Sequence, residues 1–220
     1  MNLVRKRVAV LISGRGSNLQ ALIDAAGETG FPAEIALVIS DRPDVQGLQR
    51  AERAGIARQV LMPKELGGRA AFEAALDEAL RKAGIDLICL AGFMRILSAD
   101  FVARWQGRLI NIHPSLLPAF PGLDTHQRAL EAGVKLHGCS VHFVDAGVDS
   151  GPIIGQAAVP VLPSDDADSL ADRVLVEEHR LYRRCLELVC LGDVQLRDGK
   201  VNVASSAAAK GAVLANPGAR

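Results

Sequence analysis

The segment Ile85–Ala91 (IDLICLA) is apolar at every position but Asp86. A short run without polar alternation suits a central strand covered on both faces, and such strands belong to parallel sheets. Leu109–Ile112 is a shorter run of the same kind, and Arg7–Ile12 (RVAVLI), Glu34–Ser40 (EIALVIS) and Ala57–Met62 are further strand candidates. Helical spacing separates several of them. Leu19, Leu22, Ile23 and Ala26 mark one face over Asn18–Ala26, and Val45–Ala54 reads as a helix stopped by Gly55. Over Arg69–Ala83, Phe72, Ala75, Leu76 and Ala79 form one stripe, with Gly84 as the stop.

Strand and helix in alternation predict an α/β fold: a doubly wound, mostly parallel sheet, Rossmann-like, with helices on both faces and right-handed crossovers. His137–Asp145 and Pro152–Leu162 add two strand candidates, and Ala167–Cys190 reads as a long amphipathic helix. Asp198-Gly199 between alternating segments predicts a hairpin over Val194–Val203. The expected organisation is a single domain over residues 1–192, then a C-terminal hairpin and low-complexity tail over 193–220. Ligands of such sheets bind beyond the carboxyl ends of the strands. The informative loops therefore follow Ile12, Ala91, Ile112 and Asp145.

Lysine plus arginine equals aspartate plus glutamate, 25 each. A chain of zero formal charge lacks the basic excess of a nucleic-acid binder, so small-molecule substrates are expected and nucleic acid is not. The basic N-terminus leads into an apolar run of only Val8–Ile12, below the roughly 7–15 residues of a secretory core. No run reaches the ~18 apolar residues of a membrane span. Cys89, Cys139, Cys185 and Cys190 show no CxxC spacing, which fits a reducing compartment and a cytoplasmic protein. His137 and His142 differ by an odd number and so face opposite sides of one strand; HEXXH is absent, and no metal is expected.

Ser13-Gly14-Arg15-Gly16-Ser17-Asn18 joins the first strand to the first helix. Glycines permit close backbone approach, and a helix N-terminus presents N–H groups to an anion, so a phosphate monoester fits. A plain turn capped by Ser17 or Asn18 is the competing structural reading. A dinucleotide fingerprint, with Asp41 as ribose ligand, is a second alternative. It places Leu19 where the third, small glycine belongs.

Asn111-Ile112-His113-Pro114-Ser115-Leu116-Leu117-Pro118 follows a buried strand. Residues two apart on a strand share a face, and Pro114 keeps His113 extended. An amide donor and an imidazole at a strand's carboxyl end suit acyl chemistry: one holds a developing oxyanion, the other moves protons near neutrality. Either residue could instead be a satisfied structural polar group. Asp149, in the glycine-bearing loop Asp145–Pro152, is either a turn aspartate or a carboxylate that holds the imidazolium. Spacing alone leaves both open.

Four segments together carry a resemblance. Ser13–Gln20 (SGRGSNLQ), Ala91–Leu97 (AGFMRIL), Asn111–Pro118 (NIHPSLLP) and His137–Val144 (HGCSVHFV) resemble, in that order, the folate-dependent formyltransferases of the glycinamide ribonucleotide branch. The resemblance runs from about residue 7 to 190. It implies that Asn111, His113 and Asp149 are catalytic. It implies a substrate phosphate on Gly16, Ser17 and Asn18, with Glu178 near the ribonucleotide. Met94, Arg95, Ile96 and Leu97 would line the folate pocket through their backbone, with Arg69 and Asn111 also reaching the folate. The implied co-substrate is 10-formyltetrahydrofolate, with no metal, in a monomer or homodimer that uses neither nucleic acid nor membrane. Asp124 departs from the pattern where histidine is usual, and Cys139 stands where threonine is familiar.

Three other readings remain at this stage. A methionyl-tRNA formyltransferase shares the Asn-x-His-Pro element and usually carries a further C-terminal domain. A formyltetrahydrofolate hydrolase would use water in place of the amine and needs no phosphate loop. A non-catalytic nucleotide-binding protein would bind ligand without turnover.

Overall fold

A computed structural model describes residues 4–204 of the chain. Its elements are β1 (Lys6–Ile12), α1 (Ser17–Ala26), β2 (Ala33–Ser40), α2 (Gln46–Arg53), β3 (Ala57–Val60), α3 (Pro63–Leu66), α4 (Arg69–Lys82), β4 (Leu87–Leu90), α5 (Ala99–Arg104), β5 (Leu109–His113), α6 (Thr125–Glu131), β6 (Leu136–Phe143), β7 (Ile153–Pro160), α7 (Ala167–Leu191), β8 (Val194–Arg197) and β9 (Lys200–Val203). Seven strands form one sheet in the order β3-β2-β1-β4-β5-β6-β7, and β8-β9 form a second. The β1–β2, β1–β4, β2–β3 and β4–β5 pairs are parallel, while β6–β7 is antiparallel. The expected mostly parallel α/β sheet is therefore present. The chain falls into two compact units, residues 1–111 and 112–220, with the division inside β5.

In the first unit, Val8, Ala9, Val10, Leu11 and Ile12 of β1 are all fully buried. Successive strand residues point to opposite faces, so both faces of β1 are covered, as its unbroken apolar run requires. Strand order reverses at β1, which lies between β2 and β4. Such a reversal is where open α/β sheets place their ligand crevice. The loops after β1 and β4 are hydrogen-bonded to each other: Ser13 N–H donates to the Gly92 carbonyl (3.2 Å), and Met94 N–H donates to Ser13 Oγ (2.9 Å).

Gly16 starts α1 in the left-handed conformation (φ 69°). A Cβ there would stand 2.8 Å from Gly47 Cα, so two glycines let the N-terminal ends of α1 and α2 meet. Sequence periodicity misses the short helices α3, α5 and α6. Pro63 opens α3, and Ser98 caps α5 by accepting from Phe101 N–H (3.2 Å).

In the second unit, α7 packs against β6 and β7. Its start is a capping box in which Asp166 accepts from Ser169 N–H (2.8 Å) and Ser169 Oγ accepts from Asp166 N–H (3.0 Å). Gly155 brings the helix close, because a Cβ there would meet Cys185 Sγ at 3.0 Å. Tyr182, Leu186 and Val174 are fully buried on the inward face. The predicted hairpin is β8–β9, with positive φ at both Asp198 (51°) and Gly199 (72°), the backbone an Asp-Gly turn supplies. Residues 205–220, the rest of the expected tail, lie outside the described residues.

Gly16→Ala should destabilise the protein by about 1–3 kcal/mol, since it combines left-handed strain with a backbone clash. Gly14→Ala, with nothing within 4 Å of its Cβ, should stay within about 0.5 kcal/mol of wild type. Urea unfolding of the two variants checks the contrast, and equal losses would contradict it.

Candidate active site

β5 ends at His113 because Pro114 has no N–H to continue a ladder and biases its predecessor to extended geometry. Asn111 is half-buried and His113 is 6% exposed; two apart on one strand, they project to the same side. The His113 ring is held at both nitrogens. Nδ1 lies 3.3 Å from Asp149 Oδ2, and Nε2 lies 3.1 Å from the Phe120 carbonyl oxygen. A carboxylate and a carbonyl only accept, so the ring form carrying a proton on each nitrogen satisfies both.

Asp149 is itself fixed. Its φ of 51° is left-handed, a conformation aspartate tolerates better than most residues, and its Oδ2 accepts from Gly122 N–H (2.9 Å). His142 Nε2 stands 3.8 Å from Asp149 Oδ1 while Nδ1 donates to the Phe143 carbonyl (2.9 Å). Burial lowers the His142 pKa, against the opposing pull of Phe143 and Asp149, so this second imidazole is neutral near pH 7. An imidazole beside a carboxylate, with an amide on the same strand face, offers donors to an oxygen that gains negative charge.

The turn after His113 is built from buried polar contacts. Leu117–Pro118 is a cis peptide. Ser140 Oγ accepts from Leu117 N–H (3.0 Å) and donates to the Ser115 carbonyl (2.7 Å). Gln156 Nε2 donates to the Leu117 carbonyl (2.9 Å), and Ser115 Oγ donates to the Ala119 carbonyl (2.6 Å). Every one of these bonds shapes the segment that carries Phe120 and Gly122 back to His113 and Asp149.

The remaining sequence candidates fall as follows. Gly16 is the N-cap of α1, and Ser17 and Asn18 open its first turn; no side chain caps it and no acidic residue lies in that turn. Leu19 is fully buried. Asp41 is buried too, and its Oδ2 takes Arg95 Nε at 2.6 Å, which removes it from the exposed position a ribose ligand needs. The Arg95 side chain thus turns to Asp41, while Met94 and Ile96 are 62% and 64% exposed and Leu97 is buried. Arg69, exposed at the start of α4, donates through Nε to Glu73 (3.1 Å). Glu178 is buried on α7, close enough to Cys139 to add to the burial that pushes that thiol up to about 12. Asp124 sits at the N-cap of α6 in the left-handed region (φ 55°).

Sequence reasoning missed Phe120, Gly122, Ser140, His142, Gln156 and Glu73. Ser140 and His142 stood inside the quoted HGCSVHFV segment, where polar residues in a buried strand are the available signal. Phe120 and Gly122 act through backbone atoms and leave no such mark. Glu73 adjoins the apolar stripe of its helix, and burial of a carboxylate there is invisible to periodicity.

Comparison with known proteins bears on this arrangement. Residues 6–186 match the family model described as formyl transferase. The chain is 58% identical over 190 residues to the trifunctional purine biosynthetic protein adenosine-3 of Drosophila melanogaster, covering 86% of this chain and 14% of that protein. It therefore spans about a seventh of that relative's length. It is 43% identical over 193 residues to a phosphoribosylglycinamide formyltransferase of Haemophilus influenzae, covering 88% of this chain and 91% of that protein. Among solved structures, glycinamide ribonucleotide transformylase 1 from Symbiobacterium toebii superposes with a TM-score of 0.88 at 49% identity, covering 91% of this chain and 95% of that one.

A second histidine pair sets the pH range of this segment. The His126 and His137 rings meet edge to face at 5.2 Å, and His137 also meets Phe120 at 5.9 Å. Burial, then the His126 charge, lowers the His137 pKa from 6.5 to about 4, and burial lowers His126 as well. Both are neutral above pH 6.5, and there their contribution to stability is complete. As pH falls from 6.5 to about 4 the unfolded chain takes up protons that the folded chain excludes, at a cost on the order of 3 kcal/mol for His137. Urea unfolding of wild type should lose stability over that window, and His137→Phe should show a shallower loss. Parallel pH profiles for the two proteins would contradict this account.

Proposed function

This chain belongs to the formyl transferase family, and on that premise we propose that it transfers the formyl group of 10-formyltetrahydrofolate to the amine of glycinamide ribonucleotide in purine biosynthesis. The observation that carries the reading is His113 held between Asp149 and Phe120, with Asn111 on the same strand face. The relative at 43% identity and the solved structure at 49% support the choice of substrates.

In this scheme the free amine attacks the formyl carbon, forming a C–N bond while the C=O electron pair moves onto oxygen. Asn111 Nδ2 and the His113 imidazolium donate to that oxyanion. Asp149 keeps the ring oriented, with its Oδ2 3.3 Å from Nδ1. A proton leaves the attacking nitrogen and reaches N10 of the folate through His113 or a water. The carbonyl re-forms as the C–N10 bond breaks, releasing tetrahydrofolate. The amine is itself the nucleophile, so no covalent enzyme intermediate is required.

Binding roles follow from the same premise. Gly16, Ser17 and Asn18, at an uncapped helix start without acidic neighbours, take the ribonucleotide phosphate, and Glu178 lies near the ribonucleotide. Met94, Arg95, Ile96 and Leu97 take the folate through backbone groups, which the turn of the Arg95 side chain toward Asp41 supports. Arg69 and Asn111 contact the folate as well. Four free cysteines, three of them buried, support a reducing, cytoplasmic setting.

Spectrophotometric consumption of 10-formyltetrahydrofolate should require glycinamide ribonucleotide. Consumption without it would identify a hydrolase and overturn the transferase reading. Loss of one oxyanion donor in Asn111→Ala or His113→Ala should lower turnover on the order of 10²–10³-fold with the fold intact by circular dichroism. Near-wild-type turnover in both variants would remove these residues from the chemistry.

A further inference from the structure

Glu73 is a carboxylate at an inward position of α4, 6% exposed among Phe72, Leu76 and Leu80. A buried carboxylate is costly unless its oxygens are hydrogen-bonded. Here they are. Oε1 accepts from Ser98 N–H (2.7 Å) and from Arg69 Nε (3.1 Å), and Oε2 accepts from Ser98 Oγ. Burial raises the Glu73 pKa, but the Ser98 and Arg69 bonds outweigh it and the net shift is downward, so the group is ionised.

The partners are the informative part. Ser98 directly follows Leu97, the last residue of the 94–97 segment, and Arg69 is the first residue of α4. The α5 cap does not account for Glu73, because Ser98 Oγ accepts from Phe101 N–H on its own. Arg69 uses only Nε within the described residues, which leaves the Nη1–Nη2 edge of an exposed guanidinium for another anion. That edge matches a carboxylate in bidentate fashion.

We propose that Glu73 is a positioning residue for folate binding, a buried carboxylate that Ser98 holds in place and that aims the Arg69 guanidinium. The proposal rests on the reading that Arg69 binds the folate. The part of a folate that a guanidinium edge recognises is its ionised glutamate. Glu73 touches no substrate and acts through Arg69.

The test is steady-state kinetics of Glu73→Gln, Arg69→Ala and the double variant, with 10-formyltetrahydrofolate and with the corresponding 10-formyl pteroate, which lacks the glutamate. Glu73→Gln should raise KM for the glutamate-bearing folate about tenfold, in line with the loss of one charge-assisted contact. Its kcat and its KM for the ribonucleotide should stay within about twofold of wild type. The double variant should match Arg69→Ala, and the KM effect should shrink with the pteroate. An additive double variant, or a fall in kcat with KM unchanged, would overturn the proposal. If Arg69→Ala leaves the folate KM unchanged, the reading beneath it fails instead, a result distinct from an inert Glu73→Gln in the presence of a damaging Arg69→Ala. Should Glu73→Gln not fold, Arg69→Lys decides. Lysine has no second edge with which to hold Glu73 and the folate together, so its folate KM should rise as in Arg69→Ala, and a wild-type KM would refute the positioning role.

Discussion

A strand buried on both faces of a parallel sheet has no room for an unpartnered polar side chain, so its chemistry is displaced to its carboxyl end. β1 is fully buried from Val8 to Ile12 and the first polar residue after it is Ser13; β2 ends on Ser40 with Asp41 next. β4 is apolar throughout, and β5 places Asn111 and His113 in its last three residues. Each of these polar residues follows or ends a strand whose backbone groups are committed to the ladder. The apolar interior thus decides where functional groups can stand before any ligand enters the account.

A loop at a strand end must still be held in one shape, and both units solve this with buried polar side chains. In the first unit the segment after β4 is pinned at three places. Ser13 takes Met94 N–H, Asp41 takes the Arg95 guanidinium, and Glu73 takes Ser98. In the second unit Ser140 and Gln156 take the amide and carbonyl of Leu117. A buried donor left unpaired costs about 1–3 kcal/mol, so each pin penalises alternative loop shapes by a meaningful fraction of total stability. Loops fixed this way present backbone N–H and C=O groups in constant geometry, which is what recognition through backbone atoms requires.

Regular elements were the legible part of this fold, because β1, β2, β4, α1, α4 and α7 each carry an uninterrupted period. The helices α5 and α6 were not, since six or seven residues display too little of a period; Ser98 caps α5, and no side chain caps α6. The Asn111–His113 pairing was readable from spacing on one strand. The approach of Asp149 to His113 was not, because 35 residues of loop, helix and strand intervene and only tertiary packing closes that distance. Asp41 shows the converse limit: its position after β2 fits a ribose ligand, and only its contact with Arg95 shows that it is occupied internally.

The Phe120 carbonyl lies on His113 Nε2, the atom that the proposed reaction uses. In the proposed reaction the formyl oxygen would replace that carbonyl as the acceptor of the same N–H. Exchanging one neutral carbonyl for another changes little in free energy, so the ground state gains little from the contact. The gain comes when the formyl oxygen becomes an oxyanion, because a charge-assisted hydrogen bond is roughly twice as strong as a neutral one. An interaction that strengthens only as charge develops lowers the barrier without deepening the substrate well. Asp149 stays on Nδ1 throughout, so the ring is already oriented when Nε2 changes acceptor.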